Sequence, residues 1–159
     1  MSEKELTSLV SELARSLRIE TPAKRRDGSY RLRFDGRHNV TLSNVPGGQI
    51  LLSSRLRRLP ADTDTKTSML RNSMQFALGR AASSQSCLSL DKQTDTLFIH
   101  QLIEGNTRPM DFEEIVGDFV NDLFWWKDNL AAAPSAPSAR KQANVTAQPQ
   151  FIQPNLLVR

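Results

Sequence analysis

Phe112, Ile115, Val116, Phe119, Leu123, Trp126 and Leu130 recur at three- and four-residue spacing, and after Leu130 the pattern stops. The spacing predicts one amphipathic helix that gives a continuous stripe to a core. Asp111 is its expected N-cap, with Glu114 three residues on, and acidic side chains in the first turn suit the helix dipole. Residues 131–140 are almost entirely Ala, Pro and Ser. That composition buries too little apolar surface to offset the entropy of ordering it. Residues 1–130 are therefore expected to form the folded domain. Residues 131–159 are expected to form a flexible tail with a short apolar end of Phe151, Ile152, Leu156, Leu157 and Val158, which either docks elsewhere or has no role.

Upstream, the hydrophobic period changes from element to element. Leu6, Leu9, Val10, Leu13 and Leu17 fall in an arc of about 100° on a first helix. Ser2 and Glu5 would open it as a capping box, and Pro22 bars its continuation. Tyr30, Leu32 and Phe34 then alternate with Arg31 and Arg33, and His38, Val40 and Leu42 alternate in turn, which predicts a hairpin. A two-residue turn at Asp35-Gly36 would set Leu32 against Asn39 and mix the faces. A three-residue loop, Asp35-Gly36-Arg37, sets Leu32 against Val40 and Tyr30 against Leu42, and is preferred.

Pro46-Gly47-Gly48 marks the turn into a third strand with Ile50, Leu51, Leu52 and Leu56. Residues 62–80 predict a second helix whose Met69, Leu70, Met74, Phe76, Ala77 and Leu78 spread over about 200°, too wide for a helix covering one sheet face. Burial on two sides is expected, one of them against a second protomer. Strands near 86–90 and 96–102 follow. In the latter, Leu97, Phe98 and Ile99 are consecutive, which predicts cover on both faces. Trp125 lies off the stripe of the last helix, as either a partly exposed ring or a contact with another element.

Reactive side chains are few and scattered. His38 and His100 sit on different hairpins without the Cys, Asp or Glu companions of a metal site. Cys87, the one cysteine, excludes an internal disulfide, suits a reducing compartment and reads as a small buried hydrophobe in a strand. No Walker or GxGxxG pattern accompanies Gly47-Gly48. The carboxylates of Asp111, Glu113, Glu114, Asp118, Asp122 and Asp128 decorate the solvent side of a helix rather than a cleft. No catalytic, cofactor-binding or metal-binding residue is expected, and an enzyme would need a cleft built around His38, His100 or Cys87. The first 18 residues are charged, with no apolar h-region, and no run approaches the ~20 apolar residues that span a bilayer. The expectation is a cytoplasmic protein without membrane insertion.

Charge is lopsided. Residues 1–80 hold 15 Lys/Arg against 8 Asp/Glu, residues 81–130 hold 3 against 9, and the rest has 3 basic residues and no acidic one. Such asymmetry marks a charged partner, complementary self-association, nucleic acid or an ordinary solvated surface. Lys24-Arg25-Arg26, the Arg31/Arg33/Arg37 face and Arg55-Arg57-Arg58 could hold phosphates. They lack interleaved aromatics and any helix-turn-helix or RNP motif. A nucleic-acid-binding or regulatory module using the basic first half is the alternative function.

The order of these segments resembles a known family. A leucine-rich helix precedes Asp27-Gly28-Ser29-Tyr30-Arg31-Leu32-Arg33-Phe34-Asp35-Gly36. Strands end at Leu59-Pro60, and a mid-chain helix, Leu88-Ser89-Leu90-Asp91, Thr96-Leu97-Phe98-Ile99 and a closing helix with Phe119 through Trp126 follow. Over about residues 3–130 this resembles the CesT-like class I chaperones of bacterial type III secretion.

The resemblance implies an α+β fold of helices on a twisted antiparallel sheet, in the order α-β-β-β-α-β-β-α. It also implies a homodimer formed largely through the middle helix, where Met69, Leu70, Met74, Phe76 and Leu78 fall, and the neighbouring strands. The implied partners are a secreted effector, bound through its N-terminal region and kept non-globular, and the secretion ATPase to which it is delivered. An unfolded cargo segment adds to a sheet edge and lays apolar side chains into grooves. Leu9, Leu13, Leu32 and Phe34 are the candidate groove residues, with plain core as their competing role, and Arg31, Arg33 and Arg37 are candidates to steer acidic cargo. The basic balance departs from the usual acidic character of such chaperones.

Overall fold

The first hairpin closes as its alternation demands. Tyr30 pairs with Leu42, Leu32 with Val40 and Phe34 with His38 across a three-residue loop. Asp35 and Gly36 both take positive φ, 49° and 65°, the combination whose twist matches the flanking strands. The Arg37 N–H donates to the Phe34 carbonyl at 3.1 Å to close the turn. The structure, a computed structural model, describes residues 3–132. Its elements are α1 (Glu3–Ser16), β1 (Tyr30–Phe34), β2 (His38–Val45), β3 (Gln49–Arg58), α2 (Thr63–Arg80), β4 (Cys87–Asp91), β5 (Thr96–Ile103) and α3 (Pro109–Ala132).

The five strands form one antiparallel sheet in the order β1-β2-β3-β5-β4, which leaves β1 and β4 as edges. Tyr30, Leu32, Val40, Leu42, Ile50, Leu52, Leu97, Ile99 and Ile103 face one side and are buried. Against them pack Leu6, Leu9, Val10 and Leu13 of α1 and Phe112, Val116, Phe119, Leu123, Trp126 and Leu130 of α3. Each large apolar side chain so enclosed contributes about 1.5–3 kcal/mol relative to exposure, so this single layer of helix on sheet dominates stability.

Helix ends depart from expectation in two places. α1 stops at Ser16, and Arg18 enters the left-handed region at φ 53°. The Arg18 N–H then donates to the Arg15 carbonyl at 3.2 Å and the Ile19 N–H to the Ala14 carbonyl at 3.0 Å. This Schellman closure ends the helix before Pro22 is reached, so Leu17 leaves the stripe and is exposed. At the other end of the chain, α3 begins at Pro109, a residue suited to a first helical position, and not at an Asp111 cap. The Phe112 N–H donates to the Arg108 carbonyl at 2.9 Å, and Asp111 inside the first turn instead takes Arg108 at 2.8 and 3.0 Å. Ser2 of the expected capping box and residues 133–159 of the expected tail lie outside the described residues.

Candidate binding surfaces

α2 owes its position to few contacts. Asp62 caps it, accepting from the Thr65 N–H at 2.8 Å and hydroxyl at 2.6 Å, and these bonds hold the Asp62 carboxyl below its usual range. Lys66 pairs with Asp95 at 2.5 Å. At the far end, Asp122 of α3 accepts from the Arg80 guanidinium, the Ser84 hydroxyl and, at 2.7 Å, the Ser86 hydroxyl. The Arg80 guanidinium also lies 4.3 Å above the Trp125 ring, and Phe76 meets that ring edge-on at 5.9 Å. Trp125 is thus a contact between helices. Asp122, expected on the solvent side, is the anchor of α2.

Between α2 and the edge strand β4 lies an apolar cleft of about 530 Å³, lined by Leu70, Met74, Ala77, Leu88, Leu90 and Leu97 among others. Of the residues expected at a dimer interface, Met74 and Leu78 are 70% and 79% exposed, Leu70 lines the cleft, and Phe76 leans on Trp125. Met69 is buried in the protomer's own core. The wide apolar arc of α2 therefore has one side on the core and one side bare.

The opposite face of the sheet carries no helix among the described residues. Register places Arg31, Thr41, Ser53, His100 and Cys87 in one row across it, and Arg55, Phe98 and Ser89 in the next. The expected cover on both sides of β5 is absent: Leu97 and Ile99 are buried under the helices, while Phe98 is half-buried on the bare face. Cys87 is exposed there, not buried, because Leu88 and Leu90 take the inward phase of β4. A bulge between Arg55 and Arg57 splits the third basic cluster. Arg57 turns away to donate to the Leu130 carbonyl at the end of α3, while Arg55 stays on the bare face.

Arg31, Arg37, Asn39, Thr41, Ser53, Arg55, Phe98 and Lys127 line a concavity of about 510 Å³ on this face. Lys127 reaches it from α3, with its Nζ 2.8 Å from His38 Nδ1. Burial holds the Lys127 ammonium below its ordinary range, and burial followed by the charges of Lys127 and Arg37 does the same to His38. Of the expected cargo-binding residues, Leu9, Leu13 and Leu32 are core in the protomer, and Phe34 packs half-buried at its margin. Arg31 and Arg33 are exposed on β1, and only Arg31 reaches the concavity. Sequence reasoning missed Lys127 and placed Arg55 only in a phosphate-holding cluster, although the inward phase of Ile50, Leu52 and Ser54 already sets Arg55 outward beside Arg31. No cluster of three or more metal-ligating side chains, and no helix long and apolar enough to cross a membrane, occurs among the described residues.

This architecture is that of a known class. The model of the Tir chaperone protein (CesT) family matches residues 8–127, and the chain belongs to that family. A search of curated proteins gives no sequence match. Among solved structures, the ExsC–ExsE complex gives a TM-score of 0.65 at 17% identity, over 82% of this chain and 97% of that one. The Yersinia pestis type III secretion chaperone SycH, in complex with a stable fragment of YscM2, gives 0.56 at 17% identity over 76% and 98%. The heterodimeric ExoU–SpcU complex from the type III secretion system of Pseudomonas aeruginosa gives 0.57 at 12% identity over 76% and 93%. At these identities the likeness is one of fold.

Proposed function

We propose that this protein is a type III secretion chaperone that binds the N-terminal segment of an effector in the bacterial cytoplasm, keeps it non-globular and delivers it to the export apparatus. The family match over residues 8–127 carries this reading. The surface chemistry supports it, because among the described residues one sheet face, the two edge strands and the apolar side of α2 are left uncovered, which is what an extended polypeptide needs for strand addition and groove packing. The work is binding, with no bond made or broken, and requires no catalytic group. The nucleic-acid alternative finds no support in the family match or the structural likenesses.

The active form in this reading is a homodimer joined through α2 and β4. The exposed Met74 and Leu78 on one side of α2 support this reading, and the apolar cleft between α2 and β4, which Met74 also lines, continues that surface. A secretion assay tests the function. Deletion of the gene should remove one protein from the culture supernatant under secreting conditions, and the restored gene should return it. An unchanged supernatant would refute the reading.

A further inference from the structure

We propose that the concavity on the bare sheet face, ringed by Arg31, Arg37, Arg55 and Lys127, is a receptor for an acidic, extended segment of the cargo polypeptide. The proposal rests on the chaperone reading and adds the chemistry of what is bound. Four cations from β1, the first hairpin loop, β3 and α3 converge here, and among the described residues no acidic side chain lines the hollow. The guanidinium groups of Arg31, Arg37 and Arg55 make no hydrogen bond or ion pair among the described residues, so they are free to grip carboxylates in bidentate fashion. Arg31 on β1 lies two strands across from Ser53, and Arg55 is two residues further along β3, so strand geometry sets Arg31 and Arg55 about 12 Å apart, the span of about three to four residues of extended chain. Between them Asn39, Thr41 and Ser53 offer hydrogen-bonding groups to a backbone, and Leu56 and Phe98 offer an apolar floor. A second hollow shares Arg55 and Phe98 and adds Arg58, but Asp91 also lines it, so the purely cationic lining belongs to the first hollow.

The hollow gathers four cations close together, so its local field would draw an acidic chain to it. A single-stranded nucleic acid is less well served. It calls for stacking rings along a cationic groove, whereas one half-buried ring, Phe98, lines this hollow.

The test uses the full-length protein and three labelled probes: a short unstructured peptide rich in Glu with one Leu, the same peptide with Gln for Glu, and a single-stranded oligonucleotide of equal charge. Binding is read by fluorescence anisotropy for wild type, the Arg31→Gln/Arg55→Gln pair, and a charge-matched Arg15→Gln/Arg71→Gln control. The Glu peptide should bind at least about tenfold more tightly than the Gln peptide. The Arg31/Arg55 pair should lose about tenfold or more of that affinity and the control less than about twofold. No binding of the Glu peptide, equal loss in the control, or tighter binding of the oligonucleotide would overturn the proposal, the last assigning the face to nucleic acid. The same pair also separates the two readings in cells. An effector recovered equally well by wild type and by Arg31→Gln/Arg55→Gln overturns acid selection and leaves the chaperone intact. If no effector is recovered the chaperone reading falls, and the peptide titration still decides what the face binds.

Discussion

Replacing Asp122 with Ala should detach the last turn of α2 from the rest of the fold. Asp122 and Arg80 side chains are only 14% and 27% exposed, so their pairing is weakly screened. The substitution removes the acceptor for Arg80, Ser84 and Ser86 together. A hydrogen bond to a charged group is worth about 1.5–3 kcal/mol. The two serine hydroxyls lie 2.8 Å apart and can satisfy each other, which returns part of the loss. The Arg80 charge is the larger problem, because its Nε is already buried without a partner. Stranding one member of a buried pair costs about 3–5 kcal/mol, and partial exposure places this one at the low end. The expected cost is about 3 kcal/mol, a large fraction of the ~5–15 kcal/mol that holds a domain together.

Urea unfolding at fixed protein concentration measures it, since the stability of the proposed dimer would depend on concentration. In an Arg80→Met background, which keeps an apolar stem over Trp125, Asp122→Ala should cost at least about 1.5 kcal/mol less than in wild type. A single-variant cost below about 0.5 kcal/mol, or strict additivity of the two changes, would refute the assigned role.

Met74→Asp with Leu78→Asp should leave the protomer folded and, in light scattering, shift the protein from dimer to monomer; a wild-type monomer would refute the interface. Acid should destabilise the protein through His38. Because its folded pKa is depressed, the unfolded state binds the extra proton below the ordinary value of 6.5, so stability rises with pH up to that value and falls as pH drops below it. Protonation would break the bond from Lys127 to Nδ1 and set a cation beside Lys127 and Arg37, with only Asp35 and Asp128 to offset it. His38→Asn should therefore flatten the dependence of Tm on pH between about 5 and 7, and an unchanged slope would contradict this. Phe119→Ala, at the fully buried centre of α3, should cost about 3–5 kcal/mol in chemical unfolding; a loss under about 1 kcal/mol would mean α3 is misplaced.

Much of the fold could be read from local periodicity, and the limits have physical causes. The register of β1 on β2 followed from a period of two with one buried face, because any slip would expose Leu32 and Val40. The helix ends were less readable. The Schellman closure at Arg18 needs a non-glycine residue in the left-handed region, which no propensity announces. Asp122 could not be found, since its partners lie 36 to 42 residues earlier and only the docking of α2 on α3 unites them. The contact of Lys127 with His38 spans 89 residues and is equally invisible to a local pattern. The bare side of α2 was visible as an over-wide apolar arc, yet periodicity says only that such a surface seeks cover. Cys87 was misjudged although the alternation of Leu88 and Leu90 fixes its phase.

The central claim is that this chain, as a dimer, carries an effector held by its N-terminal region. The direct measurement is to tag the protein in its native bacterium, purify it gently, and determine the mass and identity of what comes with it. Two copies joined to one larger secreted protein, and released when that protein's N-terminal segment is removed, is the predicted result. Recovery of nucleic acid, or of this protein alone under secreting conditions, would contradict it.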